Sequence, residues 1–416
     1  MKKLISLALI LTLTASAAVL SACGKKDSSP SAKTSDTPSA QSSEQSRPQV
    51  SEESIEVSMD ESKPKITQTQ LDELNKKITA AQSIPKFTAK EDKIIGRDCS
   101  KDLTVSLVSK NSASSYHKLL NRNFERGADR IGFKSILIPE TDGTVSKIND
   151  GLSDAVTQKS DMILLSGDIK KDTVSSYIET AQAHGIEVIS SGSRGTEHPD
   201  SFVDYTVPIP FENAGELMAD WGIVKTQGKL HALIVSCTDS VLAPTIFTGF
   251  KKEFEKYVSS DEGSCTIISG SSIELGNGLA NKIKSALTSD PQINYIFVFD
   301  DNALNDTISA TVQAGSAVKI VGTGGSTEDM DLAQSGSIEM LVAHSYEWIS
   351  YAMIDYAMRL HAGLTLPSVM DVPFRVLTKD VIKKAIDDYK DNDYDGFYEI
   401  CFGDAFITGY NNLWSY

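Results

Sequence analysis

The chain has 416 residues, room for two domains of roughly 150 residues each plus terminal segments, and its apolar share of 40% is that of a folded protein. Its formal charge is −16. So acidic a surface repels phosphate backbones and anionic headgroups, which argues against nucleic acid as a partner.

The N-terminus reads as an export signal over residues 1–22. Met1-Lys2-Lys3 supplies positive charge, Leu4 to Leu20 is apolar apart from small hydroxyl residues, and Leu20-Ser21-Ala22-Cys23 closes the segment. That run is too short and wrongly flanked for a membrane span. A cysteine directly after two small residues resembles the bacterial lipobox, which implies that Cys23 is the lipidated first residue of the mature chain. Loss of Lys2 and Lys3 with the signal brings the charge to about −18. The alternative is an ordinary secretory signal with a chance cysteine, but the next stretch reads as a tether. One lipid chain alone anchors weakly, and the resemblance implies diacylglyceryl modification. No later apolar run has the length to cross a membrane.

Gly24 to about Thr67 is rich in Ser, Thr, Pro, Lys and Glu and buries too little surface to offset chain entropy, so it predicts a flexible spacer. Gln68 to Ala81 carries Leu71, Leu74 and Ile78 at helical spacing and predicts a short amphipathic helix. The sequence leaves open whether this helix packs on the domain.

From Leu103 short apolar runs alternate with amphipathic segments. Strands are expected over 103–109, 133–138, 162–165 and 186–190. Helices are expected over 114–131, ending at Gly132, and over 145–158 and 172–184. A second cycle begins near Phe211, with helices over 212–225, 244–258, 278–287 and 303–313 and strands over 230–235, 265–268, 295–299 and 318–321. Such alternation with short turns predicts βαβ units, and apolarity on both faces suits strands covered by helices on each side. The fold class is therefore α/β, with two doubly wound parallel-sheet lobes joined by hinge crossovers near Val207–Pro210, His344-Ser345 and Leu366-Pro367. The expected organisation is a linker with its lipidated cysteine over 23–90, a first lobe from 100–209 plus 345–366, and a second lobe from 210–344 plus 367–416. The last part of the second lobe is a C-terminal extension.

Four cysteines follow Cys23, and none forms a CxxC pair, so the spacing does not suit a zinc ribbon. Cys237 closes one strand whereas Cys265 opens the next, about 15–20 Å apart in a parallel sheet, too far for a disulfide. A Cys99–Cys401 bridge would tie the entrance of the fold to its tail, and the sequence leaves its formation open.

In open parallel sheets ligands bind beyond the carboxyl ends of the strands. The segments there are Asn111 to Tyr116, Ser166 to Asp168, Ser191 to Arg194, Cys237 to Ser240, Ser269 to Glu274, Asp300 to Asn302 and Gly322 to Thr327. Hydroxyls, carboxylates and one arginine suit a small hydroxylated solute held by many hydrogen bonds.

These segments, with TVSLVSKNSASSYHKLLNRNFERGADRIGF, DMILLSGD, GIEVISSGSR, GFKKEF, DPQINYIFVFDDNAL, KIVGTGGS and IEMLVAHSYEWISYAMIDYAMRLHAG, resemble the ribose/galactose-type solute-binding proteins of ABC importers. The resemblance runs from about Leu103 to Leu366 and implies the type I periplasmic-binding fold. It implies that Tyr116 stacks on a ligand ring and that Arg194 matches the family's arginine after the fourth strand, with a one-residue slip. Asp300 stands for the usual Asn, Gly324 for the usual Asp, and His344 for a Gln or Asn near the crossover. The family's second aromatic is replaced by Glu274, and a cleft arginine expected near Pro244 is absent. So the fold transfers and the sugar identity does not.

The candidate ligand-binding residues are Ser114, Tyr116, Asp168, Arg194, Asp239, Glu274, Asp300, Gly324 and His344. Each has a plainer reading. Tyr116 also suits a half-buried helix start, Arg194 a surface ion pair, Asp239 a turn, and His344 a satisfied hinge residue. Asp300 also suits a cap on the helix that follows. Trp348 lies in an apolar stripe with Met353 and Tyr356 and is expected in the core. Gly322, Gly324 and Gly325 suit a tight turn, because no Lys-Ser/Thr follows to cradle phosphate.

Past Leu366, Val372 to Leu377 resembles the family's closing strand. Asp391, Asp393, Asp395 and Gly396 only begin a calcium-loop pattern, so a solvated loop is expected. Beyond it, Phe397, Tyr398, Phe402, Phe406, Tyr410 and Trp414 are expected to pack on a lobe.

The resulting expectation is a monomeric extracytoplasmic lipoprotein, membrane-bound through its lipid, that closes on a small-molecule solute and docks on an ABC permease. No cofactor or metal is called for. The alternative is a sensor of the same fold presenting its solute to a membrane receptor kinase. Neither G-x-S-x-G nor H-E-x-x-H occurs, which argues against a hydrolase. The export signal and the missing basic head argue against a repressor.

Overall fold

The computed structural model describes residues 55–57, 63–94, 102–191, 202–271, 274–388 and 397–414. Cys23, Cys99, Arg194 and the aspartates over 391–395 lie outside the described residues. Two short elements come first, β1 (Ile55–Glu56) and α1 (Gln68–Ala81). The first cycle then runs β2 (Thr104–Val108), α2 (Ser115–Ile131), β3 (Ser135–Leu137), α3 (Val145–Thr157), β4 (Met162–Leu165), α4 (Ser175–Ala183), β5 (Glu187–Ser190) and β6 (Tyr205–Thr206). The second runs α5 (Glu212–Thr226), β7 (His231–Cys237), α6 (Ala243–Tyr257), β8 (Ser264–Gly270), α7 (Asn277–Ser289), β9 (Tyr295–Val298), α8 (Leu304–Ala314), β10 (Lys319–Gly324), α9 (Thr327–Ser335) and β11 (Met340–His344). The chain ends with α10 (Tyr346–His361), β12 (Phe374–Leu377), α11 (Lys379–Asp388), α12 (Phe397–Phe402) and α13 (Ala405–Leu413).

Local chemistry sets these bounds. Ser114 caps α2 by accepting from the His117 amide, and Gly132 ends it at φ 80°, a left-handed conformation that costs glycine little. The helix expected over 172–184 is divided. A 3-10 turn over Lys171–Val174 comes first, with no side-chain cap at Lys170, and α4 starts only at Ser175. β2 and β4 are buried at every position; β4 is apolar throughout, and β2 buries Thr104 and Ser106 among its apolar residues.

The strands form two sheets. The first has order β3-β2-β4-β5-β6 and is parallel throughout. The second has order β1-β8-β7-β9-β10-β11-β12, parallel except for its two outermost strands. In each, the second α/β strand doubles back outside the first before the order resumes on the other side. The reversal falls between β2 and β4 in one sheet and between β7 and β9 in the other, and doubly wound sheets bind ligands at that point. In the β7–β8 register Cys265 lies opposite Ala232 and Cys237 opposite Gly270. Five residues of strand, about 16 Å, therefore separate two buried free thiols.

Three crossovers join the lobes. Val207–Pro210 leads from β6 to α5, Ser345 from β11 to α10, and residues 364–373 from α10 to β12. The last element of each sheet is thus exchanged. Helix α10 packs on α2 of the first lobe, where the Ser350 hydroxyl donates to the Leu120 carbonyl at 2.9 Å. A Cβ on Gly127 would come within 2.6 Å of Ile354, which is how closely the two helices approach. Strand β12 pairs with β11 of the second lobe, Val376 opposite Val342. The Met370 amide donates to the Pro208 carbonyl at 2.9 Å and ties the third crossover to the first.

Residues 55–57 and 63–90, expected as part of the linker, are packed, as are 91–94 after them. β1 pairs with the edge of β8. Leu74 and Ile78 of α1 are buried, and Lys77 reaches Asp220 and Glu216 of α5 at 2.9 and 3.1 Å. Phe402, Phe406, Tyr410 and Trp414 are buried, as expected of the tail, but α13 packs on α10, the helix of the first lobe, while α12 meets α11.

Candidate functional site

The carboxyl ends of β2 and β4, at the reversal of the first sheet, hold a connected polar set. The Ser114 hydroxyl lies 2.7 Å from Nδ1 of His117, a buried residue on the first turn of α2. On the other side of the ring, Nε2 is 3.2 Å from Oδ1 of Asp168, and the Ser166 hydroxyl donates to the same oxygen at 2.7 Å. Burial pushes Asp168 up, but His117, Ser166 and the charge of Lys110 outweigh it and hold the carboxyl down at about 2. Asp168 is therefore ionised at any ordinary pH, and its orientation is fixed from behind by an imidazole. Beside it, the half-buried Tyr116 ring packs against His117 and Tyr346, each with centroids 4.4 Å apart. Burial, then the charges of Asp168 and Asp301, raise the Tyr116 phenol well above its usual range, so the ring stays neutral.

The corresponding ends of the second sheet are rich in carboxylates. Asp300, after β9, turns its Oδ1 back to the Asn302 amide at 3.1 Å and side-chain nitrogen at 2.8 Å, capping the turn that opens α8. Its neighbour Asp301 is pushed well up by burial and by the charges of Asp329, Asp300 and Asp168. Because Asp168 belongs to the first lobe, the two strand-end faces are close enough for their charges to interact. Asp329 is also raised by burial, although the Gly325 and Ser326 amides and the Ser326 hydroxyl donate to it. Asp239 lies half-buried after β7, where Cys237 feels it together with Asp300 and Asp301. Burial and these charges push that thiol up to about 12.

Gly324 closes β10 beneath this cluster. A Cβ there would collide with Oδ2 of Asp329 and stand 3.3 Å from Cβ of Asp301, so only glycine lets the two aspartates approach. Glu274 follows β8, outside the reversal. Its carboxylate accepts from the Ser271 amide at 2.8 Å and pairs with Lys282 at 2.9 Å, and the Lys282 contact is the main reason it is held below the usual range. His344 ends β11, 7% exposed, among the rings of Phe211, Phe374 and Tyr346 at 5.4, 5.8 and 4.9 Å. Burial pushes its imidazole down to about 3, so it is neutral and belongs to the aromatic packing of the hinge.

The structure thus brings Ser114, Tyr116, Asp168, Asp239, Asp300 and Gly324 to the strand ends around the two reversals. Glu274 stands on an outer strand, His344 at the crossover, and Arg194 outside the described residues. Sequence reading does not reach His117, Asp329 or Tyr346, and reaches Ser166 and Asp301 only as members of the strand-end segments, not as candidate ligand-binding residues. The three-residue spacing of Ser114 and His117 at a helix start, and the doubling of Asp300 with Asp301, were the available signals.

No curated protein matches the sequence. Solved structures match in fold. A glucose-galactose binding protein from Geobacillus stearothermophilus superposes with TM-score 0.58 at 17% identity, covering 67% of this chain and 98% of its own. A solute-binding protein of an ABC transporter from Agrobacterium vitis, bound with alpha-D-tagatopyranose, gives 0.57 at 18% identity, covering 68% and 96%. The XylFII-LytSN complex gives 0.53 at 16% identity, covering 67% and 98%. Residues 105–365 match the family described as periplasmic binding protein domain, and since that is more than half of the sequence, the chain belongs to this family.

Proposed function

We propose that the protein is an extracytoplasmic solute-binding lipoprotein that captures a small, polar, sugar-like molecule by lobe closure and delivers it to an ABC importer. One observation carries the reading. Tyr116 and Asp168 of the first lobe lie within electrostatic reach of Asp301 of the second, each at the strand ends beside a sheet reversal. A solute between them touches both lobes together, which is the condition for ligand to favour the closed state. Preset carboxylates accept from hydroxyls or amino groups, and a neutral ring beside them covers an apolar sugar face. The names of the solved neighbours, a glucose-galactose binding protein and one holding a tagatose ring, support a carbohydrate. The leader resembling a lipobox supports anchoring through Cys23, and the family supports a place outside the cytoplasm.

Thermal shift against sugars, polyols, amino sugars and nucleosides tests this. One class should raise Tm in a concentration-dependent way, and Tyr116→Ala should weaken that binding about tenfold or more, or ~1.4 kcal/mol. Stabilisation by none of these classes refutes the reading. A second reading keeps the capture and changes the receiver, since one solved neighbour is part of a two-protein complex. In that case the closed protein presents its solute to a membrane receptor kinase, and pull-down with permease and kinase ectodomains in the presence of the solute separates the two.

A further inference from the structure

We infer that the segments outside the family match form a splint across the hinge, which fixes the angle between the lobes when no solute is bound. The match covers residues 105–365, so α1, the strap over 82–94 and α13 lie outside it. Their contacts fall on both lobes and on the crossover between them. On the second lobe, Arg375 of β12 donates through Nε and Nη2 to the Gln82 carbonyl at 3.1 and 2.9 Å, and through Nη1 to the Cys401 carbonyl. On the first-lobe side, Arg359 of α10 donates to the Asp92 carbonyl at 2.8 Å, and the Trp414 indole donates to Asp355 at 2.9 Å.

Between these, the strap grips the third crossover. Asp371 accepts from the Thr88 amide at 2.6 Å, the Thr88 hydroxyl at 2.8 Å and the Ala89 amide at 3.0 Å. Strap and tail are also bound to each other. The Phe87 ring lies on α13 where a Cβ at Gly409 would collide with it, and the Ile94 amide donates to the Leu413 carbonyl at 2.7 Å. Phe87 further stacks with Trp348 of α10 and meets Tyr410 edge-on. A cavity of about 520 Å³ borders the crossover, lined by Lys90, Asp92, Arg359 and residues 363–369. The crossover is therefore held by these bonds, by the Met370 amide on Pro208 and by the burial of Met370 and Val372, and is unpacked on its cavity side.

Any rotation of one lobe against the other that moves Arg375 relative to Arg359 has to stretch or break the splint, which links them through one short piece of chain. Hinge closure ordinarily relies on a few residues free to change φ and ψ. Here the third crossover lacks that freedom while Asp371 holds Thr88 and Ala89. The free protein accordingly samples a narrow range of lobe angles near the one described.

Pulsed EPR on the full-length, solute-free protein tests this. Spin labels go on Asp154 of α3 and Lys284 of α7, both exposed, through unnatural ketone side chains that spare the native thiols. The parent protein should give one narrow distance distribution. Asp371→Ala should broaden it by about twofold or more, as expected for a released hinge. Phe87→Leu, a milder change, should broaden it in the same direction if Asp371→Ala does not fold. Lys77→Ala, which loosens α1 from the second lobe alone, should leave it unchanged. A distribution as narrow in the foldable variants as in the parent, or one broadened equally by Lys77→Ala, overturns the splint. No solute enters the measurement, so its failure is separate from failure of the transport reading.

Discussion

Two charged clusters of this molecule, one at the splint and one at the strand ends, are built on opposite principles. Around the splint, Asp355 and Arg359 pair at 2.7 Å with both side chains 1% exposed, and the Trp414 indole and the Asp92 carbonyl each add a further bond to the pair. At the strand ends, Asp301 is surrounded by Asp329, Asp300 and Asp168. The first cluster satisfies its charges internally. In the second, like charges are held together by the fold, and the cost falls when a bound group donates hydrogen bonds or brings positive charge. The contrast separates a part of the molecule that holds shape from the part that we propose receives the solute.

The largest expected effect breaks the satisfied side. Asp355→Ala leaves Arg359 buried without its carboxylate and should cost about 3–5 kcal/mol, read as a lower denaturation midpoint at unchanged m-value. A loss below about 1 kcal/mol would mean that the splint cluster is no more than a surface pair.

A middle-sized effect sharpens the other side. The folded protein raises Asp301 above its unfolded value, so it favours the protonated form. The contribution of this group to stability is full below the unfolded pKa near 3.8 and is lost as pH rises through the raised value. Asp301→Asn should therefore raise Tm more at pH 8 than at pH 5, because each tenfold excess of proton affinity in the folded chain over the unfolded one is worth about 1.4 kcal/mol. Equal Tm changes at both pH values would show that Asp301 is not crowded by its neighbours. Asp168 is the internal control, because its carboxyl is lowered and its contribution disappears only as pH falls toward about 2.

The smallest effect concerns α1. Lys77 is 40% exposed and pairs with Asp220, which is fully buried beside Glu253 and pushed up to about 7 by that burial. Lys77→Ala should cost about 1 kcal/mol or less at pH 8, and less still at pH 5, where Asp220 carries a proton. Urea titrations at the two pH values decide it, and a larger loss at pH 5 would contradict the assigned titration.

Most of the scaffold was legible because periodicity and turn residues are local. Met162 to Leu165 is a strand as its uninterrupted apolar run requires, and α2 starts after Ser114 and stops at Gly132 as its caps dictate. α1 has the bounds that Leu71, Leu74 and Ile78 imply, but its docking on α5 depends on Asp220, remote in sequence and hidden inside a helix of ordinary composition. The candidate site was legible at the level of strand ends only. Asp300 resembled a ligand position, but its neighbour Asp301, which feels the charge of Asp168, drew no separate notice because the sequence does not show which way each carboxylate turns. His117 was missed because its role comes from Asp168, fifty-one residues later. The splint was invisible because a serine- and proline-rich leader gives no sign that residues 82–94 will be trapped under an aromatic tail.

The two residues of β1 have a consequence of their own. Strand β8 is the last parallel strand on its side of the larger sheet, and Ile55 and Glu56 occupy its outer rim together with the Val57 amide, which donates to the Cys265 carbonyl. A bare rim of that kind offers backbone donors and acceptors to any extended chain. The pairing of β1 with Ile267 and Thr266 covers part of that rim and leaves less of β8 open to another extended chain.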